Sequence, residues 1–347
     1  MKLSVIMPIY NCEEYLETAI HSVLTQGISE LEIIAIDDCS ADGSAKLLHL
    51  LSNKDRRIKA VFNERNRGVA FVRNKALELA SGKYIAFCDA DDTVPVGAYR
   101  AMLREIGDSD VLIGGFCDVN DGGGRRETTV SEADKSSAFL SLFSVCCLWN
   151  KLFKRSSLGG LTFEDDMKIG EDVVFLSHYS ARRPSFTVTD RIVYNHHHHE
   201  NAATPSLTHI YSYYAFKEHI KCRERMLKIC EIGGILECRD YVYTRFSEYL
   251  DRFIPLIPNS EERKRAFELY RSFMAKYDWK KHSAEFFAIT GVDYSSFIKS
   301  DFESYFRQKH DTLPREKVLF EFKAGMIGFR WIIKYLRAWL KFKLKRR

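Results

Sequence analysis

The stretch Tyr84-Ile85-Ala86-Phe87-Cys88-Asp89-Ala90-Asp91-Asp92 reads as a buried strand that ends abruptly in three carboxylates. Five consecutive apolar residues suit a strand covered on both faces, and the sequence then delivers negative charge to the strand's carboxyl end. Clustered carboxylates repel one another unless a cation or strong donors compensate them. The run is therefore either a divalent-metal site or a solvated acidic turn capping a helix that begins near Val96. Oxygen ligands suit Mg²⁺ or Mn²⁺, and Mg²⁺ draws most of its ligands from water and substrate phosphates. Under the metal reading, the substrate carries phosphate.

Outward from Tyr84, apolar runs alternate with amphipathic stretches. Leu3 to Pro8, Glu32 to Ile36, Ile58 to Phe62, Tyr84 to Cys88 and Val111 to Phe116 are predicted strands. Glu13 to Thr25, Ser44 to Leu51, Val69 to Ala80 and Val96 to Glu105 have helical periodicity. Asn11 with Glu14 has the form of a capping box, and Gly82 is a stop signal. This alternation predicts an α/β fold, a mostly parallel sheet with helices on both faces and ligands bound beyond the carboxyl ends of the strands. Four polar loops then converge on one rim: Pro8 to Asn11, Asp37 to Ser40, Asn63 to Gly68, and Asp89 to Asp92.

Asp118 to Arg126, with its three glycines, reads as a linker or loop, followed by a helix near Ala133 to Phe143. From about Pro205 the pattern is helical. The expected organisation is a first α/β half over 1–118, a second half over 119–204, a helical C-terminal region over 205–325 and a basic tail over 326–347.

The chain has 347 residues, 46% hydrophobic and 29% charged, enough for one large domain or two ordinary ones with a real core. Its nine cysteines are scattered, odd in number and without C-x-x-C spacing, which argues against a disulfide framework and a zinc site and fits a reducing cytosol. Met1 to Tyr10 reads as a strand rather than a signal sequence, and no apolar run reaches the roughly 18 residues of a spanning helix. The net charge of +5 belongs to the tail: without the eight Lys and Arg of 326–347, 44 basic residues face 47 acidic ones. A nucleic-acid partner, which calls for a basic face on the folded body, is not expected.

Four ordered segments carry a resemblance. Ser4 to Asn11, Leu31 to Ser44, Asn66 to Asn74 and Gly82 to Asp92, followed by Trp149-Asn150-Lys151-Leu152-Phe153 and Gly170-Glu171-Asp172, resemble the signature of family 2 inverting glycosyltransferases of the GT-A fold, of the bacterial surface-polysaccharide type. The resemblance covers residues 1 to about 200. It implies a Rossmann-like mixed sheet, and transfer of a sugar from a nucleotide diphosphate sugar, usually a uridine one, to a hydroxyl of a glycan or lipid-linked acceptor. It also implies Mn²⁺ or Mg²⁺ as cofactor.

Residue by residue, the family pattern puts base contacts at Pro8 and Tyr10 and an acceptor for the uracil N3–H at Asp38, a residue that also suits an Asx turn. Asp91 is the implied direct metal ligand. Asp89 sits towards the ribose or a metal-bound water, and Ala90 counts with it among the donor-binding residues. Asp92 is either a further ligand or a helix cap. The general base must lie opposite the leaving group, hence on another segment, and the resemblance places it at Asp172 with Glu171 as its alternate. Both could equally open the helix Val173 to Arg182, where acids favour the positive dipole end. Arg73 either reaches base or phosphate or forms a surface ion pair. Trp149, Asn150 and Lys151 match an acceptor-side motif in which the indole stacks on a sugar, though Trp149 also suits a core position.

One departure stands out. Where family members have Tyr-x-Tyr-Arg followed by serines, this chain reads Tyr194-Asn195-His196-His197-His198-His199-Glu200-Asn201. One of these histidines could contact pyrophosphate or complete the metal's ligands, and on an extended segment neighbours face opposite ways.

In the tail, Arg330, Lys334, Arg337, Lys341 and Lys345 alternate with Phe329, Ile332, Ile333, Leu336, Trp339 and Leu340. This basic amphipathic helix either lies on an anionic membrane or packs on the domain. The first option suits a cytoplasmic enzyme held peripherally at the inner face of the membrane, near a lipid-linked acceptor. The competing functions are a sugar-phosphate nucleotidyltransferase, disfavoured by the lack of a Gly-rich triphosphate loop, and a non-catalytic protein that binds nucleotide sugar or lipid.

Overall fold

A computed structural model describes residues 2–131, 134–143, 145–199, 210–243, 251–277, 286 and 292–305. The basic tail predicted over 326–347 lies outside these residues. The contacts divide the chain into two compact units, Met1–Val242 and Tyr243–Arg347.

The first unit is built on one eight-stranded sheet. Strands β1 (Leu3–Ile9), β2 (Leu31–Asp37), β3 (Ile58–Phe62) and β4 (Tyr84–Phe87) run parallel in the order β3-β2-β1-β4. Every residue of β2 and β4 is buried, as expected for strands covered on both faces. The covers are α1 (Glu13–Leu24), α2 (Ser44–Lys54), α3 (Val69–Leu79) and α4 (Ala98–Glu105). In α1 the buried positions are Leu16, Ala19, Ile20 and Val23, the one-faced spacing of an amphipathic helix. These strands and helices match the sequence expectation within three residues at each end, and their four polar loops emerge on one rim.

The sheet then turns mixed. β5 (Val111–Asn120), β6 (Arg125–Thr128), β7 (Lys151–Lys154) and β8 (Phe186–His198) complete it, with β7 antiparallel between β4 and β5, β6 antiparallel to β5, and β8 parallel to β5. The stretch from Asp118 to Arg126 is thus no linker. Cys117 pairs with Glu127 and Asp118 with Arg126, so the three glycines form the tip of a β5–β6 hairpin. Between β6 and β7, the helix expected from Ala133 is a 3₁₀ turn, Asp134–Ser136, followed by α5 (Ala138–Phe143).

Two capping expectations are also corrected. Asn11 takes a left-handed conformation, φ 50°, and its Oδ1 accepts the Ala41 N–H while Cys12 stands at the N-cap of α1. Its side chain thus joins the loops after β1 and β2. Asp92 caps no helix, because Gly97 stands at the start of α4.

Beyond β7 come α6 (Arg155–Leu158), α7 (Glu171–Ala181), α8 (Tyr213–Ile232) and α9 (Glu237–Tyr241). Gly170, just before α7, has φ +81°, and a Cβ there would sit 2.6 Å from Cys222 Sγ on α8. Backbone shape and close approach both demand glycine at the start of α7. The second unit contains α10 (Ser260–Met274), capped by Asn259 Oδ1 on two N–H groups, and α11 (Tyr294–Lys299). Phe267, Tyr270, Phe297 and Tyr305 form its aromatic core. Among the described residues no helix is long and apolar enough to cross a membrane.

Candidate active site

The rim after β1, β2 and β3 is stitched by hydrogen bonds to acidic side chains. Asp38 is buried, and its carboxylate accepts from Asn63 Nδ2 (2.8 Å), from the Gly68 N–H (2.7 Å) and, with both oxygens, from the Arg67 N–H (2.9 and 3.0 Å). That nearly fills the capacity of a carboxylate. Asp38 therefore anchors the 63–68 loop and sets the start of α3, a role the resemblance did not show. Asp42 accepts the Glu13 and Ser44 N–H groups. Desolvation pushes its pKa up, and these bonds outweigh it and hold the group below the usual carboxylate range. Tyr10, 47% exposed, offers a free ring at this rim, with Pro8 half-buried on β1 beside it.

The loop after β4 is different. Asp91 is exposed, and among the described residues no other residue hydrogen-bonds its carboxylate. Partial desolvation by the surrounding loop and the neighbouring Asp89 charge push its pKa up. Asp92 is buried and takes a structural role: Oδ1 accepts the His197 N–H (2.7 Å) and Oδ2 the Tyr194 hydroxyl (2.8 Å). The same hydroxyl accepts the Asp89 N–H, and Thr93 and Asn195 exchange two backbone hydrogen bonds. The end of β8 is thereby latched across the acidic loop.

Arg73 joins this loop to the start of α7. The guanidinium is 8% exposed, donating to Glu171 Oε1 at 2.6 Å and to Asp89 Oδ1 at 3.4 Å. It forms a buried bridge, not a surface ion pair. Beside it, among the described residues Asp172 accepts only the adjacent Val173 N–H. Burial first, then the neighbouring Glu171 charge, raises its pKa to about 7 against the opposing pull of Arg73. The helix dipole would lower it, and burial wins. The rim after β1 to β3, the acidic loop and Asp172 thus belong to one connected frame.

Residues 4–170 match the glycosyl transferase family 2 model. This region is a family 2 glycosyl transferase domain. Relatives include the Bacillus subtilis putative teichuronic acid biosynthesis glycosyltransferase TuaG, 49% identical over 26% of this chain and 36% of that protein. The B. subtilis putative glycosyltransferase EpsH is 31% identical over 56% of this chain and 61% of that one. The chain thus spans less than two thirds of either relative's length. In fold, the chain is similar to S. aureus TarS 1-349 in complex with UDP-GlcNAc, with TM-score 0.64, 20% identity, and 90% of this chain and 91% of that one covered.

Within the glycosyl transferase domain, the expected acceptor-side trio is internal. Trp149 is 6% exposed and stacks on Tyr194 (4.5 Å between centroids) and His196 (5.6 Å). Asn150 Nδ2 donates to Gly114 O, and Lys151 Nζ donates to Val145 O, Cys147 O and Asn150 Oδ1. Both are fully buried, and desolvation drags the Lys151 ammonium down to about 8. As placed, all three brace the 145–151 loop. Ala90 is buried between its acidic neighbours.

The histidine run splits by face. His197 Nε2 meets Thr93 Oγ1 (2.9 Å), and His199 Nε2 meets the Asp91 carbonyl (3.0 Å) while its ring stacks on Tyr15. His196 and His198 point the other way, both to Asp118. Sequence alternation predicted two faces. It could not show that β8 lies against both the acidic loop and β5, because those pairings span 78 to 108 residues of chain.

Proposed function

We propose that the protein is a metal-assisted inverting glycosyltransferase that moves a sugar from a UDP-sugar to a hydroxyl of a glycan or lipid-linked acceptor in surface-polysaccharide synthesis. The observation that carries this reading is Arg73, which ties the Asp89 loop to Glu171 beside Asp172. It sets a donor-poor acidic loop and a carboxylate of raised pKa on one buried support. The names of TuaG, for the polymer class, and of the UDP-GlcNAc complex of TarS, for the donor class, support it.

The acidic loop suits a hard cation. Asp89 and Asp91 supply oxygen, the Asp91 carboxylate has no partner from another described residue, and desolvation followed by the Asp89 charge raises its pKa. A bound Mn²⁺ or Mg²⁺ would supply Lewis-acid stabilisation of the departing diphosphate. Asp89 and Asp91 would hold it, with His199 alongside. Tyr10 offers a ring face to the base, and Asp38 keeps the pocket loop in shape. Asp172 takes the acceptor hydroxyl proton as that oxygen bonds to the anomeric carbon. The bond from that carbon to the diphosphate oxygen breaks with its electron pair leaving on the nucleotide, which inverts the configuration. A carboxylate titrating near 7 suits this proton transfer at neutral pH.

The test is a panel of nucleotide sugars with Mn²⁺, read by thermal stabilisation and by released nucleoside diphosphate. A UDP-sugar should stabilise the protein and be hydrolysed slowly, and Asp91→Ala should lose the metal-dependent part of both. Failure of every donor to bind, or wild-type turnover by Asp91→Ala, would overturn the reading.

A further inference from the structure

Asp118, His196 and His198 form a cluster outside the donor and base sites. Asp118 lies on β5 opposite His196 in the parallel β5–β8 register, and His198 follows two residues on, on the same face. Their ligand atoms all lie within 4.8 Å of one another. Asp118 Oδ1 is 3.0 Å from His196 Nδ1 and 2.9 Å from His198 Nε2. Bonds of about 2.0 to 2.2 Å to one ion give ligand edges of about 2.9 Å in an octahedron and about 3.4 Å in a tetrahedron. The two edges to Asp118 sit at the octahedral end of that range, and with the third pair of atoms within 4.8 Å the three side chains converge closely enough for one ion after modest ring adjustment.

The scaffold also favours a site. Register shifts between β5 and β8 around Gly115 give β8 extra residues just before Tyr194, and such bulges re-aim the side chains that follow. Trp149 lies flat against the His196 ring at an interplanar angle of 18°, which restricts its orientation. Side-chain exposures of 25% to 36% leave room for water as further ligands. Two imidazole nitrogens and one carboxylate oxygen are a borderline donor set, suited to Zn²⁺ or Co²⁺ and poorly matched to Mg²⁺. Counting cysteines gave no hint of it, because the site uses none.

We infer that Asp118, His196 and His198 bind a divalent first-row transition ion of the Zn²⁺ type, separate from the cation suited to Asp89 and Asp91. The two sites would occupy opposite faces of one strand. The inference does not depend on glycosyl transfer.

Chelator-stripped full-length protein is dialysed against Co²⁺ and then Zn²⁺, with metal content measured by mass spectrometry and Co²⁺ followed by its visible spectrum. Asp91→Asn serves as the background that disables the acidic-loop site. That background should retain about one equivalent of Co²⁺, displaced by Zn²⁺ but not by millimolar Mg²⁺, with a spectrum free of thiolate charge transfer. His196→Gln/His198→Gln in the same background should weaken Co²⁺ binding at least tenfold with circular dichroism unchanged. Should the double variant misfold, the single change His198→Gln, at a partly exposed position, takes its place with the same expectation. Equal Co²⁺ binding with and without the histidines, thiolate bands, or no retained Co²⁺ in the background would overturn the site.

Discussion

Two stretches of the same rim use carboxylates in opposite ways. In the loops after β1 to β3, Asp38 and Asp42 are supplied with N–H donors by their own chain. In the loop after β4 and at the start of α7, Asp91 has no donor from another described residue, and Asp172 has one from the adjacent residue. The consequences diverge accordingly: Asp42 is held low, whereas Asp91 and Asp172 are pushed up. Supplied carboxylates fix shape. Starved ones keep their charge only with a cation or give it up to a proton, and this is the property a transfer reaction uses.

The sharpest break of this comparison comes from Asp172. Asp172→Asn should lower transfer to a true acceptor by about 10² to 10⁴-fold, the usual span for a general base, with donor affinity unchanged in calorimetry. Full transfer by this variant would place the base elsewhere. The same variant should be more stable than wild type at pH 8. The folded-state pKa of about 7 lies above the usual 3.8, so the folded protein binds the proton more tightly than the unfolded chain. The associated stability is present below about pH 4 and is lost as pH rises through 7. Asparagine removes that loss, by on the order of 2 to 4 kcal/mol at pH 8, and the gain should fade towards pH 4 in urea titrations.

The supplied stretch makes the reverse prediction. Asp38→Asn keeps the shape but presents an amide where the Arg67 and Gly68 N–H groups need an acceptor. Charge-assisted bonds of this kind contribute about 1.5 to 3 kcal/mol each, so the variant should lose about 2 to 3 kcal/mol of stability. Its loosened 63–68 loop should raise the donor KM while kcat at saturation stays near wild type. If stability is unchanged and only KM rises, Asp38 belongs to the base rather than to the loop.

How much of this was legible in the sequence follows the range of the interactions. Each βα unit from β1 to α4 is specified by residues close along the chain, and its periodicity located strands and loops well. Asp89, Asp91 and Asp172 stand out in the sequence because acids just after a strand or at a helix start break the local apolar pattern. The frame around them does not. For Asp92 the sequence leaves ligand and cap both open, because nothing local reveals Tyr194 and His197 arriving from over 100 residues away. For Gly122 to Gly124 it leaves linker and loop both open, because a glycine tip carries no register, which is set by Cys117 pairing with Glu127. Trp149 to Lys151 matched a motif whose residue types survive, but their burial is fixed by Gly114 and Tyr194 on other strands.

Arg73 sits where the two stretches meet, and it gives the finest test of the contrast. Its charge lowers the pKa of Asp172, while burial and Glu171 raise it. Arg73→Met removes the opposing charge, so Asp172 should titrate higher. The acidic limb of the pH–rate profile should move from about 7 upward by about one unit, and kcat/KM should fall about fivefold at pH 7 and about tenfold well below it, since one pKa unit corresponds to about 1.4 kcal/mol. Arg73→Lys retains a positive charge but cannot span Glu171 and Asp89 with a planar fork. It should keep the limb near its wild-type position while the plateau rate drops. A limb that stays put in Arg73→Met would separate Arg73 from Asp172 electrostatically and leave it only the task of holding the Asp89 loop against α7.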